Sequence, residues 1–330
     1  MISSRSSLRD KIFSVSKDTF SDLALEVFRY QMLWNPVYAN YVNSLKKNRA
    51  TIDTIEQIPF LPIEFFKSFK ILSAYTDAET VFTSSGTSGM ESSRHYVPDP
   101  DLYTSSFRKA FELFYGSPAE YCVLALLPSY LEREGSSLIL MAEDLIKKSA
   151  HPQSGFYLRH SEELKNVLLN LLDSGQKTLL LGVTFALLDF AEQFPLDFPE
   201  LIVMETGGMK GRKKEMVRDE VHQVLKKGFG VRAIHSEYGM TELLSQAYSK
   251  GEGIFDSPPW MKVLIRDPND PLSLTGNGKT GGINVIDLAN LDSCAFIATQ
   301  DLGKTHANGS FEVLGRFDHS DIRGCNLLVL

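Results

Sequence analysis

Four short, almost wholly apolar runs constrain this chain most: "YCVLALLP" (121–128), "TLLLGV" (178–183), "LIVMETGG" (201–208) and "RAIHSEYG" (232–239). A strand that buries one face alternates apolar with polar residues, whereas a run without alternation suits a strand covered on both faces. Helix-length segments separate these runs, at Thr104–Phe114, Ser137–Ser149, Ser161–Ser174, Phe185–Phe194 and Lys213–Gly228. Parallel neighbours need crossovers of that length, so the order predicts an α/β core around a largely parallel sheet.

The flanks read differently. "SDLALEVFRYQMLWNPVYANYV" (21–42) has helical apolar spacing interrupted around Pro36. "IPFLPIEFFKSFKIL" follows as a Pro- and Phe-rich connector packed on the core. Beyond Pro258, "MKVLIRD", "GGINVIDL", "CAFIATQDLG" and "GSFEVLGRFD" alternate with Gly, Asn and Asp turns, which predicts a smaller antiparallel subdomain. The expected division is therefore a helical segment at 1–80, an α/β core at 81–257 and a β-rich subdomain at 258–330.

Several function classes are disfavoured. A net charge of −7 without a basic run argues against nucleic acid as a partner. No apolar run reaches the length of a membrane span, and the start "MISSRSSLRDKIFS" lacks an apolar signal core. Three scattered cysteines make no disulfide framework, and seven histidines without close pairing give no zinc site. A cytoplasmic location is expected.

Chemistry concentrates first in "TSSGTSG" (83–89). Gly86 and Gly89 permit close backbone approach, and Ser84, Ser85, Thr87 and Ser88 supply hydroxyls beside main-chain N–H groups able to cradle an anion. The same stretch also reads as a solvated polar turn. No Gly-Lys-Ser/Thr follows, which disfavours a P-loop phosphotransferase. Further ligand-type segments come later in the chain. "ETGGMKGR" (205–212) and "EYGMTE" (237–242) close two strands, and "TQDLG" (299–303) sets Asp301 in a turn. "LGRFDHSDIRG" (314–324) adds two arginines and two aspartates. Strand ends of open α/β sheets are where ligands bind.

This ordered set, spanning roughly 81–324, resembles the adenylate-forming superfamily of acyl-CoA synthetases and their relatives. "IPFLPIEFFKS", "SGTSGMESSRH", "TGGMKGR" and "DIRGC" look most like its acyl-protein synthetase (LuxE) family, with phenylacetate-CoA ligases next. The resemblance implies an N-terminal adenylating domain of parallel sheets covered by helices, with a small β-rich subdomain. It implies ATP and Mg2+ as cofactors and a fatty or other carboxylic acid as substrate. Ser84, Ser85, Gly86, Thr87, Ser88 and Gly89 would hold the ATP phosphates. Gly207 and Gly208 would lie near adenine, with Tyr238 stacked on it and Gly239 in the same cofactor-binding set. Thr241 would touch the α-phosphate, Glu242 would hold Mg2+, and Asp301 with Arg316 would bind the ribose hydroxyls.

Two departures from the wider family follow. Where most relatives end the phosphate loop in Pro-Lys, "MESSRH" offers Arg94 and His95, and the chain stops six residues after the hinge-like motif. The C-terminal lid domain with its catalytic lysine is thus expected to be absent. Arg94, Lys210 and Arg212 are then candidates for the missing positive charge, with surface solvation as the alternative, favoured for Arg212. Cys325, in "DIRGCNLLVL", resembles the acyl-accepting cysteine of the acyl-protein synthetases; on its own residues the reading as a small apolar side chain in a terminal strand is favoured, and the resemblance tips it to the nucleophile. Cys122 and Cys294 read as strand-core residues. His235 could line the acid pocket or sit satisfied at a strand end; "GVTFALLDF" (182–190) is a candidate wall of the acyl pocket, with Gly182 allowing close approach, although an apolar helix of this kind more often reads simply as core. The acyl group would pass from Cys325 to a partner such as a reductase, acyltransferase or carrier protein. The competing expectations are a CoA ligase using a lid from another chain, and a nucleotide-binding module without catalysis.

Overall fold

The computed structural model describes residues 3–73, 77–84, 92–127, 135–157, 161–207 and 216–317. In chain order its elements begin with α1 (Arg5–Ile12), α2 (Phe20–Trp34), α3 (Pro36–Ser44), β1 (Leu61–Pro62) and α4 (Phe65–Ser68). Next come β2 (Thr80–Thr83), β3 (Arg94–Val97), α5 (Pro100–Tyr115), β4 (Cys122–Leu126), α6 (Ser137–Ser149) and β5 (Gly155–Phe156). They are followed by α7 (Ser161–Ser174), β6 (Thr178–Gly182), α8 (Thr184–Gln193), β7 (Ile202–Glu205), α9 (Arg218–Phe229) and β8 (His235–Tyr238). The last are β9 (Ala247–Ser249), β10 (Ile254–Phe255), β11 (Met261–Arg266), β12 (Gly281–Asp287), β13 (Phe296–Thr305) and β14 (Phe311–Arg316).

The chain forms two compact units, residues 78–258 and residues 1–77 together with 259–330. The unit at 78–258 is built on a sheet in the order β5-β4-β6-β7-β8-β9, parallel from β5 to β8 with β9 antiparallel. Every residue of β4 and β6 is buried, as expected of apolar runs covered on both faces. One face at β7–β8 carries Glu205 and Ser236 and meets Thr184 of α8 and His222 of α9. Tyr115 of α5 packs on the other face, against His235 and Tyr248. Helix positions expected from periodicity hold closely. The largest shift is at α9, which starts at Arg218, after an extended Val217.

The other unit joins the two ends of the sequence, where the sequence reading sets them apart. Its antiparallel sheet runs β11-β12-β13-β14, with β1 added in parallel on the first half of β13. Phe296 of β13, fully buried, explains the union: Phe28, Tyr38 and Phe60 surround it at ring-centroid distances of 6.1, 5.9 and 6.3 Å. Gln31 of α2 locks the same contact. Its Nε2 donates to the carbonyls of Asn290 and Leu291, both at 2.9 Å, and its Oε1 accepts from the Ala295 N–H at 3.0 Å. Arg5 adds an ion pair to Asp292 at 2.6 Å. Gln31→Leu keeps the volume but strands three buried backbone groups, so it is expected to cost roughly 2–3 kcal/mol. Chemical denaturation that returns an unchanged midpoint would refute this.

Candidate active site

In the unit at 78–258, β6, β7 and β8 end side by side at their carboxyl edge, where an open parallel sheet presents ligands. The end of β7 is organised by Glu205, which is 6% exposed. Its Oε2 accepts from Thr184 Oγ1 at 2.9 Å and from the Gly207 N–H at 2.8 Å, and its Oε1 accepts from Ser236 Oγ at 2.8 Å. Burial pushes this carboxyl up, but the His222 imidazole, the Ser236 hydroxyl, the Arg218 charge and the Gly207 N–H outweigh it and hold Glu205 down at about 2. His222 Nε2 stands 3.7 Å from Oε1, an ion-pair distance too long for a hydrogen bond, so the three short donors carry the fixed geometry. They also place Gly207, whose φ of 72° favours glycine and whose missing Cβ would meet nothing within 4 Å. A flat or anionic group can therefore approach bare backbone there.

The expected phosphate loop leaves from the β2–β3 hairpin. Thr83 pairs with Arg94 and Phe82 with His95. Ser84 closes the neck: its N–H donates to Ser93 O at 3.1 Å, and its hydroxyl accepts from the Ser93 N–H at 2.8 Å. That leaves the Ser84 O–H able to donate to a ligand. Arg94 is exposed, whereas His95 is fully buried. His95 Nδ1 lies 2.8 Å from the Thr241 carbonyl; a carbonyl only accepts, so Nδ1 carries the proton. His95 thereby fixes the turn that carries Thr241 and the buried Glu242. In sequence His95 stood only as a partial replacement for Pro-Lys.

Other expected site residues have definite places. Tyr238 is 8% exposed, with its ring edge-on to Phe255 at 5.9 Å. His235 bonds through Nδ1 to Tyr115 Oη at 3.1 Å; burial, helped by the Lys250 charge, lowers it to about 4, so it is neutral at pH 7. A Cβ on Gly182 would stand 2.8 Å from Leu187 Cγ, so the group admitted there is Leu187 itself. A Cβ on Gly239 would come within 2.3 Å of Glu237 Oε1. Glu237 was not singled out by sequence. Burial, reinforced by the Glu205 charge, raises it to about 8.

In the other unit, Asp301 and Arg316 face each other across β13–β14, with Arg316 Nε 3.3 Å from Asp301 Oδ1. Asp301 is 8% exposed and takes its N–H bond to Thr299 Oγ1 at 3.1 Å. Cys122 and Cys294 are fully buried, and burial lifts the Cys294 thiol to about 12, far from a thiolate nucleophile. Ser85, Gly86, Thr87, Ser88, Gly89, Gly208, Lys210, Arg212 and Cys325 lie outside the described residues. Among the described residues no group of three or more His, Cys, Asp or Glu side chains gathers as a metal site, and no helix is long and apolar enough to cross a membrane.

The sequence matches no protein-family profile and no curated protein. Solved structures do match. A 2-hydroxyisobutyryl-CoA ligase in complex with 2-HIB-AMP and CoA aligns with a TM-score of 0.66 at 13% identity, over 94% of this chain and 71% of that one. ATP-bound MatB from Rhodopseudomonas palustris aligns with a TM-score of 0.53 at 16% identity, over 72% of this chain and 47% of that one. The likeness is one of fold: this chain has an α/β architecture shared with part of these longer proteins.

Proposed function

We propose that the protein activates a carboxylic acid with ATP. A carboxylate oxygen attacks the α-phosphorus, the bond to the β-phosphate bridging oxygen breaks, and acyl-adenylate and pyrophosphate form. The observation that carries this reading is the pair of fixed loops at one sheet edge: Gly207 held bare by Glu205, and the Thr241–Glu242 turn held by His95. The fold shared with a ligase whose structures hold an acyl-AMP supports it.

In this reading Ser84 to Gly89 and Thr241 donate to the phosphates, and Gly207, Gly208, Tyr238 and Gly239 take the base. Asp301, held by Arg316 within its own unit, accepts from ribose hydroxyls. Glu242 is a buried carboxylate in the turn after β8, and among the described residues no metal-binding cluster gathers around it, which suits Mg2+ that arrives with the phosphates rather than a resident metal. When bound, Mg2+ would neutralise phosphate charge. Arg94 and Lys210 add fixed positive charge. His235 lines the acid side, and Gly182 shapes the wall of that side by admitting Leu187. The finer reading takes a fatty acid as substrate. Cys325 then attacks the mixed anhydride as thiolate, AMP leaves, and the thioester passes to a partner protein such as a reductase, acyltransferase or carrier.

Acid-dependent ATP–pyrophosphate exchange tests the first step. Glu242→Gln is expected to lower exchange by about 100-fold or more. Cys325→Ser is expected to spare exchange and abolish stable acyl labelling. Retained labelling would remove Cys325 from its role. CoA-thioester formation by the protein alone would favour the ligase alternative. ATP binding without exchange for any acid would leave a binding module.

A further inference from the structure

A row of polar groups crosses the sheet on the face opposite Glu205. Glu237 and Tyr248 are directly paired across β8–β9, so their side chains share a face, with His235 two residues before Glu237. Two residues further, just past the last ladder pair Tyr238–Ala247, a Cβ on Gly239 would meet Glu237 Oε1 and Gln246 Cγ, which brings Gln246 to the same face. On β7, Thr206 lies one residue past the Glu205–Ser236 pair, and so beside Glu237 on the same face. The row at the carboxyl edge is therefore Thr206, Glu237, Tyr248 and Gln246.

Thr206 Oγ1, Tyr248 Oη and Gln246 Oε1 are all buried and meet no hydrogen-bond partner among the described residues. Tyr248 is 2% exposed and Gln246 4% exposed. Buried polar atoms are nearly always satisfied, and three unsatisfied ones side by side point to a ligand that completes them. The surroundings define its chemistry. Phe114 and Tyr115 of α5 wall the inner end, at 5.4 Å from the Tyr248 ring, and His235 is tied to Tyr115. His235 is neutral at pH 7 and Glu237 keeps its proton to about 8, so neither adds charge to the row; the Lys250 ammonium stands on the outer side of the wall, 5.6 Å from the Tyr115 ring centroid. The row offers the Gln246 carbonyl as an acceptor, the protonated Glu237 carboxyl as both donor and acceptor, and hydroxyls that also do both.

We propose that this row binds the acyl part of the acid and selects one bearing a neutral hydroxyl, with Thr206, Tyr248, Gln246 and Glu237 as specificity residues. The assignment rests on the acid-activating reading for the identity of its ligand. A site built to hydrogen-bond a hydroxyl rejects the analogue lacking it, because its own groups are then left unpaired. An ammonium group would need Glu237 ionised, which burial and the Glu205 charge oppose, and it would meet the like charge of Lys250.

The test is direct binding, by calorimetry and thermal shift with ATP and Mg2+ present. The probes are decanoate, its hydroxy and amino positional series, benzoate, hydroxybenzoate and aminomethylbenzoate. At least one hydroxy acid is expected to bind about tenfold or more tighter than its plain counterpart. Tyr248→Phe and Thr206→Val remove hydroxyls that hold nothing in the fold, so both variants should fold, and each should collapse that preference. Equal binding of plain and hydroxy acids, no binding of any of them, a preference for the amino forms, or a preference surviving both variants would overturn the inference. Pyrophosphate exchange is read separately. Hydroxy-acid binding without exchange would sink the acid-activating reading and keep the site; exchange without hydroxyl preference would do the reverse.

Discussion

A Glu205→Gln variant is expected to lose roughly 3 kcal/mol at neutral pH, melting several degrees below the parent. The amide fills the same space, but one of its ends becomes a donor facing donors: either Thr184 Oγ1 and the Gly207 N–H, or Ser236 Oγ. The pH dependence identifies the cause. The folded carboxyl titrates at about 2, below its ordinary 4.5, so its stabilisation is fully present above 4.5 and fades as pH falls toward 2. The parent should lose stability across that window, and the variant should show a flatter profile. Because Gly207 hangs from the same carboxylate, the variant should also bind ATP more weakly in an equilibrium assay. A parent and variant with parallel acid profiles would show that Glu205 is not the ionised anchor.

Glu237→Gln is expected to do the opposite, raising stability by roughly 2 kcal/mol at pH 8 while changing little at pH 4. The folded acid titrates at about 8 against an ordinary 4.5, so between those values the folded state keeps a proton that the unfolded chain has released. Stability therefore falls as pH rises through that window, at a limiting slope of about 1.4 kcal/mol per unit. Part of Glu237 is solvent-exposed, and screening there holds the expected gain below the full product of slope and window. The two carboxylates are coupled, since the Glu205 charge helps raise Glu237. In the Glu205→Gln protein Glu237 should titrate lower, measurable by carboxyl carbon NMR. An unmoved titration would deny the coupling.

Much of the architecture was legible because burial writes itself into spacing. The all-apolar runs supplied the fully buried parallel strands β4 and β6, and the segments at 137–149 and 161–174 became α6 and α7. The glycine pair of "ETGGMKGR" marked the end of β7, and the left-handed φ of Gly207 is the physical reason for a glycine there. The partners holding that loop were not legible. Thr184, His222 and Ser236 come from α8, α9 and β8, and nothing in their local sequence points to Glu205. One hint was available: an ionisable residue ending the apolar run "LIVME" is costly unless it is paired. The union of the first and last segments of the chain was equally hidden. It depends on Gln31 meeting residues 259 to 264 positions away, beyond the reach of periodicity.

Sequence alone determined the order of strands and helices, the parallel character of the central sheet and which strand ends carry polar chemistry, because these follow from local pattern and chain length. Tertiary structure alone decided what two glutamates on adjacent strands do. Glu205 and Glu237 are the same side chain, yet one meets three short donors on its face of the sheet and stays ionised, while the other faces neutral tyrosines and histidine and keeps its proton. A carboxylate's charge is set by what surrounds it in space, and those surroundings exist only after the chain has folded.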